Sequence, residues 1–270
     1  MIMIRHMRTE PDGQPIENTF RAIDSRTGDE LGSAVLYTDL NPVLFPTRPL
    51  QVRLDLEGSD IPDRLIGASI ARAHQICYEA DEYARVFTRC APNDYLTLKL
   101  FGPFGFEDND GLVKMRADLP SALSPHIPEG CELAQDDLRD SLEKRSFLER
   151  YNRLFNTGHD MAWLEQYIDR SDFRRLMLLY SGGVAGEILI WREGTAGVIG
   201  FIQTSKGWRR RGVASCLIGA ACDQMAEASQ SHAECNIRAR YPHMLRLLGK
   251  AGFEQTEVLM RYPGIDIDPT

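Results

Sequence analysis

The phrase LFGPFGFE at 100–107 returns as LLGKAGFE at 247–254, with Leu, Gly, Gly, Phe and Glu in the same register. A short strand-like run ending in Met-Arg follows each copy, at Met115-Arg116 and at Met260-Arg261. LIGA recurs in the same way, at 65–68 and 217–220, each time inside a helical pattern that follows an alternating strand. The order strand, LIGA helix, strand, Gly-Phe phrase, strand is thus written twice. Two matches in one order imply duplication, and a duplicated chain is constrained to fold as two related units. The 270 residues accommodate two domains of ordinary size.

A boundary is expected in DLPSALSPHIPEG, 118–130, where Pro120, Pro125 and Pro128 interrupt any regular structure. That gives domains at 1–120 and 121–270. In the first, TFRAID, LGSAVLYTDL and LQVRLDLEG read as strands, DRLIGASIARAHQICYEA as a helix and EYARVFTRC as a strand. In the second, DDLRDSLEKRSFLERYNRLF predicts an amphipathic helix of about five turns, with Leu138, Leu142, Phe147, Leu148, Tyr151 and Phe155 on its apolar face. A shorter helix, MAWLEQYI, precedes an antiparallel meander of RRLMLLYS, AGEILIWRE and GVIGFIQTS. Then come a glycine-bearing loop, a helix over 213–228, the strand AECNIRA, a helix over 241–250 and the strand QTEVLMRY.

Composition narrows the function classes. A formal net charge of −8 and a pI of about 5.3 oppose any whole-surface binding to nucleic acid or an anionic membrane. The six cysteines form no CxxC pair and no zinc-like spacing with histidine, so a reducing compartment and no metal are expected. The N-terminus MIMIRHMRTEPDG turns polar after four residues, unlike a signal peptide. No run of 18 apolar residues spans a membrane. The expectation is a cytoplasmic protein, monomer or homodimer.

The chemistry concentrates in QTSKGWRRRGVASCLIGAACDQM, 203–225. Arg209-Arg210-Arg211-Gly212-Val213-Ala214 has the form R-x-x-G-x-A where a strand gives way to a helix. The first amides of a helix lack intrahelical partners and carry the positive end of its dipole. With Gly212 and Ala214 permitting close approach, such a terminus suits a phosphate. Three arginines add charge in an acidic protein. The absence of G-K-[ST] and of GxGxxG argues against a nucleotide P-loop or a dinucleotide fold.

On GWRRRGVASCLI, and on Leu248-Gly249-Lys250-Ala251-Gly252-Phe253 after the next helix, the second half resembles the GNAT superfamily of acyl-CoA-dependent N-acetyltransferases, over nearly all of 129–263. The resemblance implies an α/β (α+β) protein of two tandem GNAT-like domains, each a mixed, mostly antiparallel sheet flanked by helices. It implies acetyl-CoA (coenzyme A) as co-substrate, with the pyrophosphate on Arg209, Arg210, Arg211, Gly212, Val213, Ala214 and Ser215. The strand backbone at Ile202, Gln203 and Thr204 would pair with the pantetheine arm and offer an amide to the thioester oxygen. The acceptor would be a small-molecule or peptide amine that attacks the thioester directly.

Two departures stand out. The family's Asn and Tyr on the helix before the Gly-Phe phrase fall at Tyr241 and Leu248, and Leu248 donates no proton. Tyr241, Glu187, His243 and water are left as alternatives for proton transfer. A non-catalytic acyl-CoA-binding sensor or scaffold is the rival reading. In the first half, Glu57-Gly58-Ser59-Asp60-Ile61-Pro62 aligns with Arg209 to Ala214. Two carboxylates there replace arginines, and Pro62 removes an amide. The first copy is therefore expected to have kept the sheet and lost the acyl-CoA site.

Overall fold

The structure is a computed structural model that describes residues 1–9, 15–58 and 61–269. It divides into two compact units, Met1–Gly111 with Met260–Thr270, and Leu112–Leu259.

The first unit holds a 6-stranded sheet in the order β1-β2-β3-β4-β5-β13. Its strands are β1 (Ile2–Thr9), β2 (Pro15–Asp24), β3 (Glu30–Leu40), β4 (Leu50–Glu57), β5 (Ala84–Phe87) and β13 (Gly264–Ile267). Only the β4–β5 pair is parallel, because helix α1 (Asp63–Ala80) crosses over between them. The helix buries Leu65, Ile66, Ser69, Ala73 and Cys77, one stripe at helical spacing, against Leu36, Val52 and Leu54 of the sheet. A short helix, α2 (Tyr95–Phe101), ends the repeat.

The second unit holds a 7-stranded sheet, β12-β6-β11-β10-β9-β8-β7. Its strands are β6 (Gly111–Asp118), β7 (Glu132–Asp136), β8 (Arg174–Tyr180), β9 (Gly183–Glu193), β10 (Ala196–Thr204), β11 (His232–Arg238) and β12 (Glu254–Arg261). Helices α3 (Ser141–Phe155) and α4 (Met161–Ile168) lie between β7 and β8 in the chain, α5 (Val213–Glu227) between β10 and β11, and α6 (Pro242–Lys250) before β12. Strand for strand, β7-β8-β9-β10-β11 repeats β1-β2-β3-β4-β5: again the fourth and fifth strands, β10 and β11, joined through α5, run parallel, whereas β7 and β8, joined through α3 and α4, are antiparallel. The duplicated phrase has one structural meaning in both places. Gly105 and Gly252 turn the chain at φ +81° and +87°, each amide reaching back three residues to Gly102 or Gly249, and Phe106 and Phe253 are buried behind them.

Three sequence expectations are corrected. Helix α3 starts at Ser141, where the Asp140 carboxylate accepts from the amides of Leu142 and Glu143. Leu138 lies outside the helix with φ +50°, and Leu142 is exposed. The 118–130 segment is no free linker: the Ser121 hydroxyl donates to the Ala251 carbonyl, and Leu119 and Leu123 pack on the second unit's core. A division at 120/121 also assigns two strands differently from the compact units. Strand β6 lies in the second sheet and β13 in the first, since hydrogen bonding to β11 and β5 fixes their places.

Candidate functional site

Strands β10 and β11 separate partway along. Parallel pairing runs from Ala196/His232 to Ile199/Cys235 and stops, while β11 continues on β6 to Arg238. On its other side β10 stays paired with β9 as far as Thr204/Gly186. The segment Phe201–Thr204 therefore has one backbone edge without a strand partner among the described residues. A register shift between Ile199 and Phe201 marks a bulge at the parting. Ile199 and Ile202 join the core under α5, whereas Val198 and Phe201 face the cluster under α3 and α4.

The free edge leads directly into the arginine loop. The Ser205 amide donates to the Ala185 carbonyl at 2.9 Å and its hydroxyl to the Val184 carbonyl at 2.7 Å, anchoring the loop on β9. A single 3-10 turn, Lys206–Trp208, follows. Arg210 then adopts φ +62° and Gly212 φ +83°. Gly212 is the N-cap of α5 and has no side chain to cap it, so the helix opens with bare amides. Among the described residues no acceptor meets the amides of residues 210–215. Left-handed residues at a turn into a helix gather such amides into a concave anion cradle. The guanidiniums of Arg209, Arg210 and Arg211 are exposed and find no carboxylate among the described residues; Arg211 instead covers the Trp208 ring at 5.2 Å. Behind the cradle, Val213, Leu217, Ala221 and Met225 are all buried, holding the helix on the sheet.

Among the described residues, the matching place in the first unit has neither the arginines nor a glycine at the helix N-cap. Helix α1 is preceded by Pro62 in an extended conformation and opens with Asp63 in its first turn. Glu57 is exposed nearby in sequence; Ser59 and Asp60 lie outside the described residues.

Glu187, on β9, has no exposed side-chain surface. Arg150 of α3 grips it with two hydrogen bonds of 2.9 Å, Arg175 stands 3.6 Å away, and the Gln203 amide also donates to it. Arg175 in turn bonds Asp136 and Glu143. The carboxylate thus ties the end of β10 to α3 and β7, and no atom of it reaches an open surface. Tyr241 is the N-cap of α6, half-buried on the same core as Ile202 and Trp208. His243 is exposed, with a ring nitrogen 3.0 Å from Arg246. Leu248 is 2% exposed within the core. The network around Glu187 escapes sequence reading, because Arg150 and Arg175 carry no pattern that pairs them with a strand residue far along the chain.

All six cysteines are free, and burial pushes the thiols of Cys222 and Cys235 up to about 11 and about 12. Among the described residues no group of three His, Cys, Asp or Glu side chains is placed to hold a metal, and no helix is long and apolar enough to cross a membrane. A cavity of about 390 Å³ opens by Gln224 and Gln230, at the far end of α5 from the arginine loop.

No family profile and no curated protein matches the sequence. Solved structures do. A GCN5-related N-acetyltransferase from Sphaerobacter thermophilus superposes with a TM-score of 0.53 at 17% identity, over 93% of this chain and 81% of that one. The chain has a GNAT fold. A tandem GNAT protein from the clavulanic acid biosynthesis pathway is also similar, at 15% identity and a TM-score of 0.44, over 93% of this chain and 82% of its own. A GCN5-related N-acetyltransferase from Kribbella flavida matches at 12% identity and 0.44, over 89% and 87%. The parted strands and the arginine loop both lie in the second unit of this GNAT fold.

Proposed function

We propose that the second unit binds acetyl-CoA and transfers its acetyl group to a primary amine. One observation carries this reading: the unpaired backbone edge of β10 runs without interruption into the unpartnered amides of residues 210–215. The edge at Ile202, Gln203 and Thr204 offers a partner to the amide groups of a pantetheine arm. The cradle of Arg209 to Ser215 offers amides and positive charge to a pyrophosphate. An amide of that strand end pointing at the thioester oxygen would stabilise negative charge as the carbonyl is attacked.

The transfer balances simply. The amine gives up a proton to solvent water, its nitrogen bonds to the thioester carbon, and the carbon–sulfur bond breaks with its electron pair on sulfur. A thiol ionises at about pH 8.5 unperturbed, so the thiolate departs without strong assistance and takes its proton from water. Tyr241 is retained as the alternative donor. Glu187, enclosed by Arg150 and Arg175, serves as a positioning group rather than the base. The rival reading, a non-catalytic acyl-CoA-binding protein, is favoured by Leu248 lying buried at the position where the family places a tyrosine.

Calorimetric titration with acetyl-CoA is expected to give one site per chain. Gly212→Asp should remove it, because the new carboxylate faces the pyrophosphate; a Cβ at position 212 meets nothing within 4 Å, and although φ +83° strains any side chain, Asp tolerates the left-handed region better than most, so the cost is about 1 kcal/mol and the fold should hold. Unchanged affinity in the folded variant would refute the cradle, and two sites would refute the loss of the first copy. Release of free thiol with an amine panel separates the enzyme from the silent binder.

A further inference from the structure

Beside the parted end of β10 lies a group of aromatic rings that acyl-CoA binding does not use. Tyr151 is at its centre, with ring centroids 4.6 Å from Phe155, 4.6 Å from Trp163 and 5.0 Å from Phe201. His159 stacks on Trp163 at 4.2 Å and 11°. Tyr167 meets the edge of Trp163 at 5.0 Å. None of these six is fully buried. On the other face of β10 the space is taken, since Ile199 is buried in one cluster with Val213 and Leu217 of α5.

Phe201 precedes Ile202, and consecutive Cα atoms stand about 3.8 Å apart. A nucleophile attacking a thioester held along Ile202–Thr204 therefore passes the Phe201 ring, from the side of α3 and α4. Given the acyl transfer proposed above, on which this inference rests, we infer that these rings are the acceptor wall. It selects a primary amine carried on an aromatic ring by a short flexible chain.

Three observations favour that class over a polycation or a polyhydroxylated amine. The wall is built of rings in half-buried residues, and a ring pairs with another ring by stacking or edge contact. Two carboxylates beside it are already engaged: Glu187 is enclosed by two guanidiniums, and Asp160 caps α4 by accepting from the Trp163 amide. Among the described residues the Tyr151 hydroxyl has no hydrogen-bond partner, and burial pushes it up to about 12, so the phenol adds no charge at neutral pH.

The test is calorimetric binding of 2-phenylethylamine, n-butylamine and spermidine, to the protein alone and with coenzyme A. Burying a phenyl group predicts roughly ten- to a hundredfold tighter binding of phenylethylamine than of butylamine. Trp163→Leu and Phe155→Leu should each abolish most of that preference and leave acetyl-CoA affinity unchanged. Equal affinities in the native protein, or spermidine as the tightest ligand, would overturn the proposal whether or not the variants fold. Failure of acetyl-CoA to bind would instead sink the acyl-transfer reading, while the ranking of the amines still decides what the wall recognises.

Discussion

Tyr241 and Leu248 present the proton problem in two side chains. Leu248 fills core volume and has nothing to donate. Tyr241 starts α6 and lends its backbone carbonyl to the amides of Met244 and Leu245, so its ring is held by the helix it begins. General acid–base groups contribute about 100- to 10,000-fold. Tyr241→Phe is expected to stay well short of that range in turnover at saturating substrate, and to cost on the order of 1 kcal/mol in stability for its hydroxyl. A fall in turnover beyond about 100-fold, with acetyl-CoA affinity intact, would make Tyr241 the acid after all. The sequence locates the residues that matter here but not their environments. An R-x-x-G-x-A loop is local chemistry and is legible; that a strand Glu faces two arginines is a long-range fact, and no spacing encodes it.

At the level of elements, β10 is held in two ways. Ladder bonds to β9 fix its backbone, and the Gln203–Glu187–Arg150 chain ties its end to α3. Removing one member of a buried ion network leaves its partners uncompensated, at about 3–5 kcal/mol. Glu187→Gln is therefore expected to lower unfolding free energy by about 3 kcal/mol, with the acetyl-CoA dissociation constant rising alongside. A stable variant that binds normally yet turns over at least about 100-fold slower would identify Glu187 as the base instead. Aromatic residues at 151, 155, 159, 163 and 167 recur every fourth position, a signal in the sequence that helical periodicity alone assigns to a buried face. The turn between α3 and α4 breaks that face, which is why a single amphipathic stripe does not describe it.

In the whole molecule, duplication is legible in the sequence and strand assignment is not. The Gly-Phe phrase and LIGA repeat because each copy builds the same helix end and the same helix-to-sheet contact. Alternating hydrophobicity marks a strand without naming its neighbour, so β13 goes unread and proximity in sequence misplaces β6. β13 matters to the first unit. Its Asp266 pairs at 3.1 Å with Arg85, whose side chain is 2% exposed, and its backbone closes the edge of β5. A chain ending at Pro263 is expected to lose about 2–3 kcal/mol in the first unit, chiefly the burial of Ile267, since Arg85 keeps Asp110 and Asn109 as partners, and to self-associate through the opened edge. Urea unfolding at two protein concentrations, with light scattering, measures both; an unshifted midpoint would show that β13 is dispensable. The placement of this strand also sets a clock. A ribosome delivers β1 to β5 early, but the sheet they begin must wait for residues made after the entire second unit. Through most of its synthesis the first unit is unfinished, with the β5 edge open to whatever it meets.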